Sequence, residues 1–318
     1  MYFVASQRQR KKEARALLKH RICNSWRLYV FLLLPVLYIL IFKYYPMAGL
    51  QLAFKDFDYR LGIWNSPWTG LKHFKRFLNS YQFERVLSNT LRLSLYSLVA
   101  GFPLPILLAL LLNAMPMKRY KKVVQTVTYM PNFISMVVMV GIIQQLFNTH
   151  VGIYGQLYKL ITGTRAPDLL GIASAFPHLY VWSGIWQGLG FNSIIYVAAL
   201  CGVDAELHEA AEIDGANRFQ RMLHIDLPAI MPTATILLVM RCGSIMDLGF
   251  EKAYLMQNNL NLSTSEVIST YVYKVGMVTG GGNFSFGTAV GLLNSIVNFV
   301  LLVLVNFCTK RLGGNSLW

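Results

Sequence analysis

Six long apolar blocks restrict the folds that this chain can adopt more than any other feature of its sequence. A helix of about 20 apolar residues crosses the hydrocarbon core of a bilayer. The bilayer offers the backbone no hydrogen-bond partners, so such segments must be helical. The sequence therefore predicts an all-α integral membrane protein. The predicted spans are residues 28–45, 87–114, 123–147, 178–203, 233–250 and 284–309.

The composition agrees with a membrane protein and argues against a soluble nucleic-acid-binding domain. Hydrophobic residues make up 55% of the chain and charged residues 14%, which lies outside the range of soluble domains. The net charge of +15 would also suit a nucleic-acid partner. However, the basic residues cluster beside the apolar blocks, as is typical of membrane proteins. We therefore expect membrane lipid, and no nucleic acid, among the partners.

Prolines and glycines interrupt several of the predicted spans. Pro46 is expected to end the first span, Pro103 to kink the second and Pro131 to interrupt the third, because proline lacks a backbone N–H. The fourth and sixth spans each contain two glycines four residues apart, a spacing that permits close helix contact. These glycines are Gly184 with Gly188, and Gly287 with Gly291.

The distribution of lysine and arginine predicts the orientation in the membrane. Residues 1–27 form a basic tail, and more basic residues follow the second and sixth spans. Cytoplasmic segments are enriched in Lys and Arg, so we expect both termini in the cytoplasm. The chain then divides into this tail and a six-span domain, residues 28–318. Within that domain, residues 51–85 and 251–283 are expected to be outer loops.

A polar stretch between the fourth and fifth spans, residues 204–232, has too many charges to cross a bilayer. Asp204 is a predicted N-cap of a first short helix, because its side chain can accept a hydrogen bond from the first turn. The pair Asp214-Gly215 is a predicted stop, since glycine adopts the left-handed conformation that ends a helix.

A second short helix is predicted later in the same stretch. Asn217 and Gln220 have the spacing of a capping box, which marks the start of a helix. Pro228 is expected to close that helix. A bent pair of short amphipathic helices at the membrane surface would suit docking of a partner protein.

The polar stretch also carries a motif of fixed spacing, and on this motif the chain resembles the permeases of ABC importers. Their EAA loop has the pattern E-A-A-x3-G-x9-I-x-L-P, which this chain matches at every fixed position. Residues 42–74 are similar to the carbohydrate branch of the family, and in particular to lipoprotein-type permeases that import complex oligosaccharides. The matching motif residues are Glu209, Ala210, Ala211, Gly215, Ile225, Leu227 and Pro228.

The resemblance implies the type I ABC importer permease fold, with six spans in each of two homologous permease subunits. It implies a dimer of ATPase subunits that binds ATP and magnesium, and an extracytoplasmic solute-binding protein that delivers an oligosaccharide. The location would be the plasma membrane of a bacterium, or the inner membrane if the cell is Gram-negative. The EAA loop would couple the permease to the ATPase. The residues implied in coupling are those of the motif together with Asp214.

Polar residues in the spans beside the EAA loop are candidates for a substrate path. An arginine at the centre of a span costs about 2.5–3.5 kcal/mol on insertion scales, so Arg241 is expected to face a cavity or a partner. A cationic path would suit an acidic oligosaccharide, such as a uronate chain like alginate, whereas pairing of Arg241 with another span is the alternative. The resemblance to sugar importers implies that the flanking spans form the path. The candidate residues are Asn192, Tyr196, Arg241, Ser244 and Asp247.

Two other classes of protein also carry polar residues in membrane helices. A secondary transporter has them in broken helices, but this class leaves the EAA stretch unexplained, and this chain would have to work as one six-span unit without visible internal repeats. An intramembrane enzyme needs a catalytic or metal motif, yet the six histidines and four cysteines show no such spacing. The sequence contains no HExxH, GxSxG or phosphate-loop motif. We therefore expect no catalytic residue, metal site, cofactor or ATPase site in this chain.

Overall fold

A computed structural model describes residues 24–279 and 282–311 of the chain. Regular structure in these ranges is helical, apart from one isolated antiparallel bridge between Lys55 and Trp68. The predicted all-α class is therefore confirmed. Most of the basic tail and the last seven residues of the chain, which the sequence predicts to be cytoplasmic, lie outside the described residues.

Four helical segments of the described chain are long and apolar enough to cross a bilayer, and two bent helix pairs raise that number to six if each pair is one span. The number of spans is therefore four to six by length and composition. The four segments are Trp26–Phe54, Tyr81–Ala114, Arg218–Gly243 and Phe284–Arg311. The bent pairs are Lys118–Phe133 with Met136–Leu146, and Phe176–Leu200 with Ala205–Ile213.

The first helix, α1 (Trp26–Ile39), continues without a break into a π turn (Leu40–Tyr44) and a 3-10 helix (Tyr45–Phe54). Pro46 therefore does not end this helical segment, contrary to the prediction. It occupies the first turn of the 3-10 helix, where a missing N–H costs little. None of the spanning window of this segment is buried, so its apolar side chains face outward from the fold.

Two short helices, α2 (Gly62–Asn65) and α3 (Lys72–Leu78), follow in the segment that was expected to be an outer loop. Lys55 is buried beneath them. Its Nζ donates to the carbonyl oxygens of Ile63 and Trp64 at 3.0 and 2.9 Å. The lysine thus satisfies backbone acceptors at the end of α2 and holds this segment together.

Proline interrupts the helix of the third predicted span but not that of the second. Helices α4 (Tyr81–Gly101) and α5 (Pro103–Ala114) form one continuous segment of 34 residues. In contrast, α6 (Lys118–Tyr129) and its 3-10 extension (Met130–Phe133) meet α7 (Met136–Leu146) at 101°. The interruption predicted at the third span is therefore close to a right-angle turn.

Two close helix crossings lie at glycines, and the sequence spacing indicated one of these glycines but not the other. On α9 (Phe176–Leu200) the tight crossing is at Gly190, where a Cβ would overlap the carbonyl oxygen of Thr128. On the last helix, a Cβ at Gly287 would lie 3.2 Å from the Cα of Gly276. Small residues therefore allow close approach at both helices, but the spacing did not identify the crossing on α9.

The fifth span begins much earlier than predicted. The short helix α11 (Arg218–Arg221), a π turn (Met222–Asp226) and α12 (Leu227–Gly243) form one continuous helix of 26 residues. Pro228 therefore does not close a short helix, contrary to the prediction. It lies in the first turn of α12, directly after the π turn, whose shifted hydrogen-bond register accommodates a residue without an N–H.

In the segment predicted to be an outer loop, residues 251–283, most of the described residues are helical, and many of their side chains are buried. The segment contains α13 (Phe250–Met256), α14 (Leu262–Ser265), α15 (Ile268–Tyr273) and a π turn (Lys274–Val278). Helices this short show no clear hydrophobic periodicity, so the sequence pattern does not reveal them. The remaining described helices are α8 (Ile153–Thr162), α10 (Ala205–Ile213) and α16 (Phe284–Arg311).

The largest apolar cluster joins α4, α7, α9 and α13, and it fixes the position of α13 against the central helix. Between helices in a bilayer, such side chains stabilise the arrangement through van der Waals packing rather than through removal from water. Helix α13 is thereby held beside the cavity described below. The buried members of the cluster are Leu93, Met139, Val140, Ile143, Phe176, Tyr180, Val181, Ala253, Met256 and Val267.

Candidate coupling surface and substrate cavity

Helix α10 (Ala205–Ile213) begins and ends as the sequence predicts. The side chain of Asp204 accepts the backbone N–H two residues further on at 3.0 Å, which caps the start. Gly215 has φ of +79°, and the next N–H, that of Ala216, returns to the carbonyl oxygen of Ala211 at 2.8 Å. This is the left-handed closing geometry that glycine favours.

The capping box at the start of α11 is also confirmed. The side chain of Asn217 accepts the N–H of Gln220 at 2.9 Å, and the side chain of Gln220 accepts the N–H of Asn217 at 2.8 Å. Both hydrogen bonds satisfy donors that a helix start leaves without partners. The turn between α10 and α11 is thus defined on one side by Gly215 and on the other by this cap.

Helix α10 and the turn after it present an uncovered surface. No residue of α10 is buried, and the apolar side chains of Ile213 and Phe219 are 87% and 62% exposed. Exposed apolar groups rimmed by charges are typical of protein interaction sites. Among the motif residues, Glu209, Ala210, Asp214, Gly215 and Pro228 are exposed, whereas Ala211, Ile225 and Leu227 are half-buried.

A buried carboxylate, that of Asp226, ties this surface to the spans. Asp226 is the last residue of the π turn that precedes α12, and it is 3% exposed. Its Oδ1 accepts a hydrogen bond from the Asn113 amide at 3.1 Å and lies 3.2 Å from Nε2 of His208. Asp226 therefore contacts the end of α5 and the middle of α10 together. Sequence reasoning did not select Asp226, because it occupies a variable position of the motif.

A cavity of 340 Å³ lies between α4, α5, α9 and the segment that follows α12. Ligand pockets in proteins start at about 300 Å³, so this volume suits a small part of an oligosaccharide. Three of the five predicted path residues, Asn192, Arg241 and Asp247, line the cavity. Gln187 and Lys252, which the prediction did not include, add two more polar side chains.

The other two predicted path residues lie elsewhere. Tyr196 is 3% exposed and packs in an apolar cluster between α5, α9 and α12. The hydroxyl of Ser244 donates to the carbonyl oxygens of Met240 and Arg241 at 3.4 and 3.3 Å, which turns it back onto its own chain. The structure therefore brings together three of the five candidates.

Asp247 reaches the cavity because α12 ends at Gly243, seven residues before the predicted end. The chain then turns, and the N–H of Met246 donates to the side-chain oxygen of Asn298 on α16 at 2.9 Å. This hydrogen bond fixes the turn, so Asp247 lies beyond the helix rather than on one of its faces. The turn also carries the chain into α13, which holds Lys252.

Helices of spanning length, a cavity that several polar side chains line and an uncovered polar helix are features of a multi-pass membrane permease. Residues 85–314 match the family described as "Binding-protein-dependent transport system inner membrane component", and the chain belongs to this family.

Two relatives from Bacillus subtilis align with nearly the whole of this chain. Protein LplB of Bacillus subtilis (strain 168) is 42% identical over 295 residues, which cover 93% of this chain and 92% of LplB. The polygalacturonan/rhamnogalacturonan transport system permease protein YteP of the same organism is 40% identical over 308 residues, which cover 97% and 95% of the two chains.

Two solved structures share the fold, each with a TM-score of 0.84. One is a bacterial ABC transporter involved in the import of the acidic polysaccharide alginate; it is 39% identical, and the match covers 92% of this chain and 98% of that chain. The other is a bacterial alginate ABC transporter in complex with an alginate pentasaccharide-bound periplasmic protein; it is 38% identical, with 93% and 98% covered. This chain is therefore a permease subunit of a sugar or oligosaccharide ABC importer.

Proposed function

We propose that this permease moves an acidic oligosaccharide of the uronate class into the cytoplasm of a bacterium. The observation that carries the substrate class is Arg241, whose side chain lines the cavity and forms no ion pair among the described residues. A guanidinium group binds a carboxylate through paired hydrogen bonds. The relatives named for polygalacturonan and alginate transport act on acidic polymers, which supports the same class.

The proposed assembly contains a second homologous permease, a dimer of ATPase subunits and an extracytoplasmic solute-binding protein. The exposed apolar surface of α1 offers a contact for lipid or for the second permease. The uncovered α10 offers a contact for the ATPase, which would bind the ATP and magnesium, whereas this chain would bind neither. In this arrangement the protein lies in a bacterial plasma membrane, or in the inner membrane of a Gram-negative cell. Both termini and α10 face the cytoplasm.

Coupling would follow from how α10 is attached to the spans. When the ATPase subunits close, they would displace α10 as a rigid body. The bend at Gly215 sets the direction in which α10 projects. The contacts of the buried Asp226 carboxylate with His208 and Asn113 would then pass the displacement to α5 and α12. Both of these helices contribute residues to the cavity lining.

A cysteine at Ala211 is expected to crosslink to an ATPase subunit in the assembled importer. The background variant lacks all four cysteines of the sequence, which are Cys23, Cys201, Cys242 and Cys308. The matched control is a cysteine at Ile161 on α8, which is 81% exposed but lies on the proposed outer side. Absence of a crosslink at Ala211 in every nucleotide state would contradict the coupling role, and a crosslink at Ile161 would contradict the orientation.

Uptake of trigalacturonate by the reconstituted importer is expected to require ATP and to fall about tenfold or more in Arg241→Ala, because a charge-assisted hydrogen bond contributes about 1.5–3 kcal/mol. The measurement is uptake of labelled sugar into proteoliposomes, with subunit assembly checked by gel filtration. The control is Arg92→Ala, since Arg92 is exposed on α4 and does not line the cavity. Unchanged uptake removes Arg241 from the path, and uptake without ATP favours a secondary transporter.

A further inference from the structure

We propose that Lys252 is a second carboxylate-binding residue of the substrate path, which holds a uronate group in the cavity that Arg241 also lines. This inference rests on the proposed function. Lys252 lies on α13, in the segment that the sequence alone predicts to be an outer loop, and the structure places its side chain in the lining of the cavity.

The ammonium group of Lys252 is buried, and most of its hydrogen-bonding capacity is unused. The residue is 5% exposed, and its Nζ donates to the carbonyl oxygen of Tyr180 at 2.5 Å. An ammonium group has three N–H donors, and the described chain supplies no second hydrogen-bond acceptor. No carboxylate among the described residues forms an ion pair with the Lys252 ammonium group. Because an uncompensated buried charge is costly, a ligand carboxylate would offset that cost.

The surroundings of Lys252 fix the position of its Nζ. The atom lies 4.6 Å from the ring centroid of Tyr180, within the range of a cation–π contact. A Cβ at Gly184 would lie 2.8 Å from the same Nζ, so the glycine leaves the space that the ammonium group occupies. Tyr180 and Gly184 also line the cavity. The cation is therefore held at the cavity wall rather than extended into solvent.

A second buried lysine shows what a purely structural role looks like in this chain. Lys55 is 2% exposed, but its Nζ donates to two backbone carbonyl oxygens at 3.0 and 2.9 Å. Both acceptors belong to the short helix α2. Two of the three N–H donors of Lys55 therefore stabilise the fold. Lys252 donates to one acceptor and lines a cavity, which is the arrangement expected of a ligand-binding group.

The charges in the cavity leave room for an anion. Arg241, Asp247 and Lys252 all line it, and none of them pairs with another within the described residues. The formal balance is one positive charge. The Gln187 amide nitrogen donates to the carbonyl oxygen of Ile134 at 2.9 Å, so its amide oxygen can accept a hydrogen bond from a sugar hydroxyl. Together these groups match a sugar that carries both hydroxyls and a carboxylate.

The test uses the complete importer in proteoliposomes, with both permeases, the ATPase subunits and saturating binding protein loaded with trigalacturonate. Lys252→Met is expected to lower the maximal uptake rate about tenfold while the ATP hydrolysis stimulated by the loaded binding protein continues. Lys252→Arg, which keeps a cation, is expected to recover most of the rate. The charge control is Arg92→Gln, which removes an exposed cation outside the cavity and should transport at the wild-type rate.

A second measurement does not depend on any variant folding. Carbodiimide added during turnover should join a carboxylate of trigalacturonate to the Lys252 amine of the wild-type importer, detected as a mass increase of the peptide that contains Lys252. The methyl ester of trigalacturonate should give no such product. Uptake at the wild-type rate by Lys252→Met, or no coupling at Lys252 while the wild type transports, overturns the inference. A wild-type importer that does not transport trigalacturonate overturns the proposed substrate class instead.

Discussion

Replacement of Gly215 by valine is expected to uncouple ATP hydrolysis from sugar uptake while leaving the cavity unchanged. The φ of +79° at Gly215 lies in the left-handed region, where a residue with a Cβ costs roughly 1–2 kcal/mol and a β-branched residue is especially unfavourable. No atom lies within 4 Å of the position that a Cβ would take. The effect of valine would therefore come from the backbone, which must change the bend between α10 and α11.

The measurement is the number of sugars taken up per ATP hydrolysed, which we expect to fall about fivefold or more in Gly215→Val, in line with roughly 1–2 kcal/mol of strain. Gly215→Asn is the matched control, because asparagine tolerates the left-handed conformation, and it should stay close to the wild type. Wild-type coupling in Gly215→Val would show that the bend is not needed. Equal losses in both variants would point to the side chain rather than the backbone.

Features that depend on neighbouring residues could be predicted from the sequence. The cap at Asp204, the stop at Gly215 and the capping box at Asn217 each need only a few adjacent residues, and all three are present in the structure. The two prolines expected to end helices show the limit of such rules. Pro46 and Pro228 both lie in first turns, where proline is tolerated, and the sequence does not reveal the π turn that precedes each first turn.

The candidate substrate path was predicted less completely, because it depends on where along each helix the cavity lies. Tyr196 and Asn192 are four residues apart on α9, yet Asn192 lines the cavity and Tyr196 packs in an apolar cluster. Residues four apart share one face of a helix, so helical periodicity does not separate these two positions, which differ by about one helical turn in depth. Lys252 was missed for another reason: its helix has seven residues, and only the packing of α13 against α9 brings it to the cavity.

Asp226→Ala is expected to destabilise the contact between α10 and the spans and to weaken coupling. The buried carboxylate holds His208 and Asn113 together. Its removal leaves both half-buried side chains without this acceptor, at a cost of about 1 kcal/mol for each lost hydrogen bond. Thermal unfolding of the purified importer should shift to lower temperature, and uptake per ATP hydrolysed should fall. Asp226→Asn, which keeps the shape and one oxygen, should lose less of both.

The ion pair between Arg221 and Glu212 provides a matched comparison on the same surface. Nη1 of Arg221 lies 2.9 Å from Oε2 of Glu212, but the Glu212 side chain is 71% exposed. Exposed ion pairs contribute about 0–1 kcal/mol to stability. Glu212→Gln should therefore change stability and coupling little. If it disturbs coupling as much as Asp226→Ala does, the general charge of the surface matters more than the buried contact.

A double-mutant cycle separates a specific link through Asp226 from a general loss of stability. If the carboxylate acts by holding His208, then His208→Ala and Asp226→Ala remove the same contact, and their effects on uptake per ATP should not add. Coupling energies between residues in direct contact are about 0.5–3 kcal/mol. Additive effects would show that Asp226 stabilises the fold without connecting α10 to the spans. A clear coupling energy in transport, with His208→Ala still assembling, would place the path of the ATPase motion through this carboxylate.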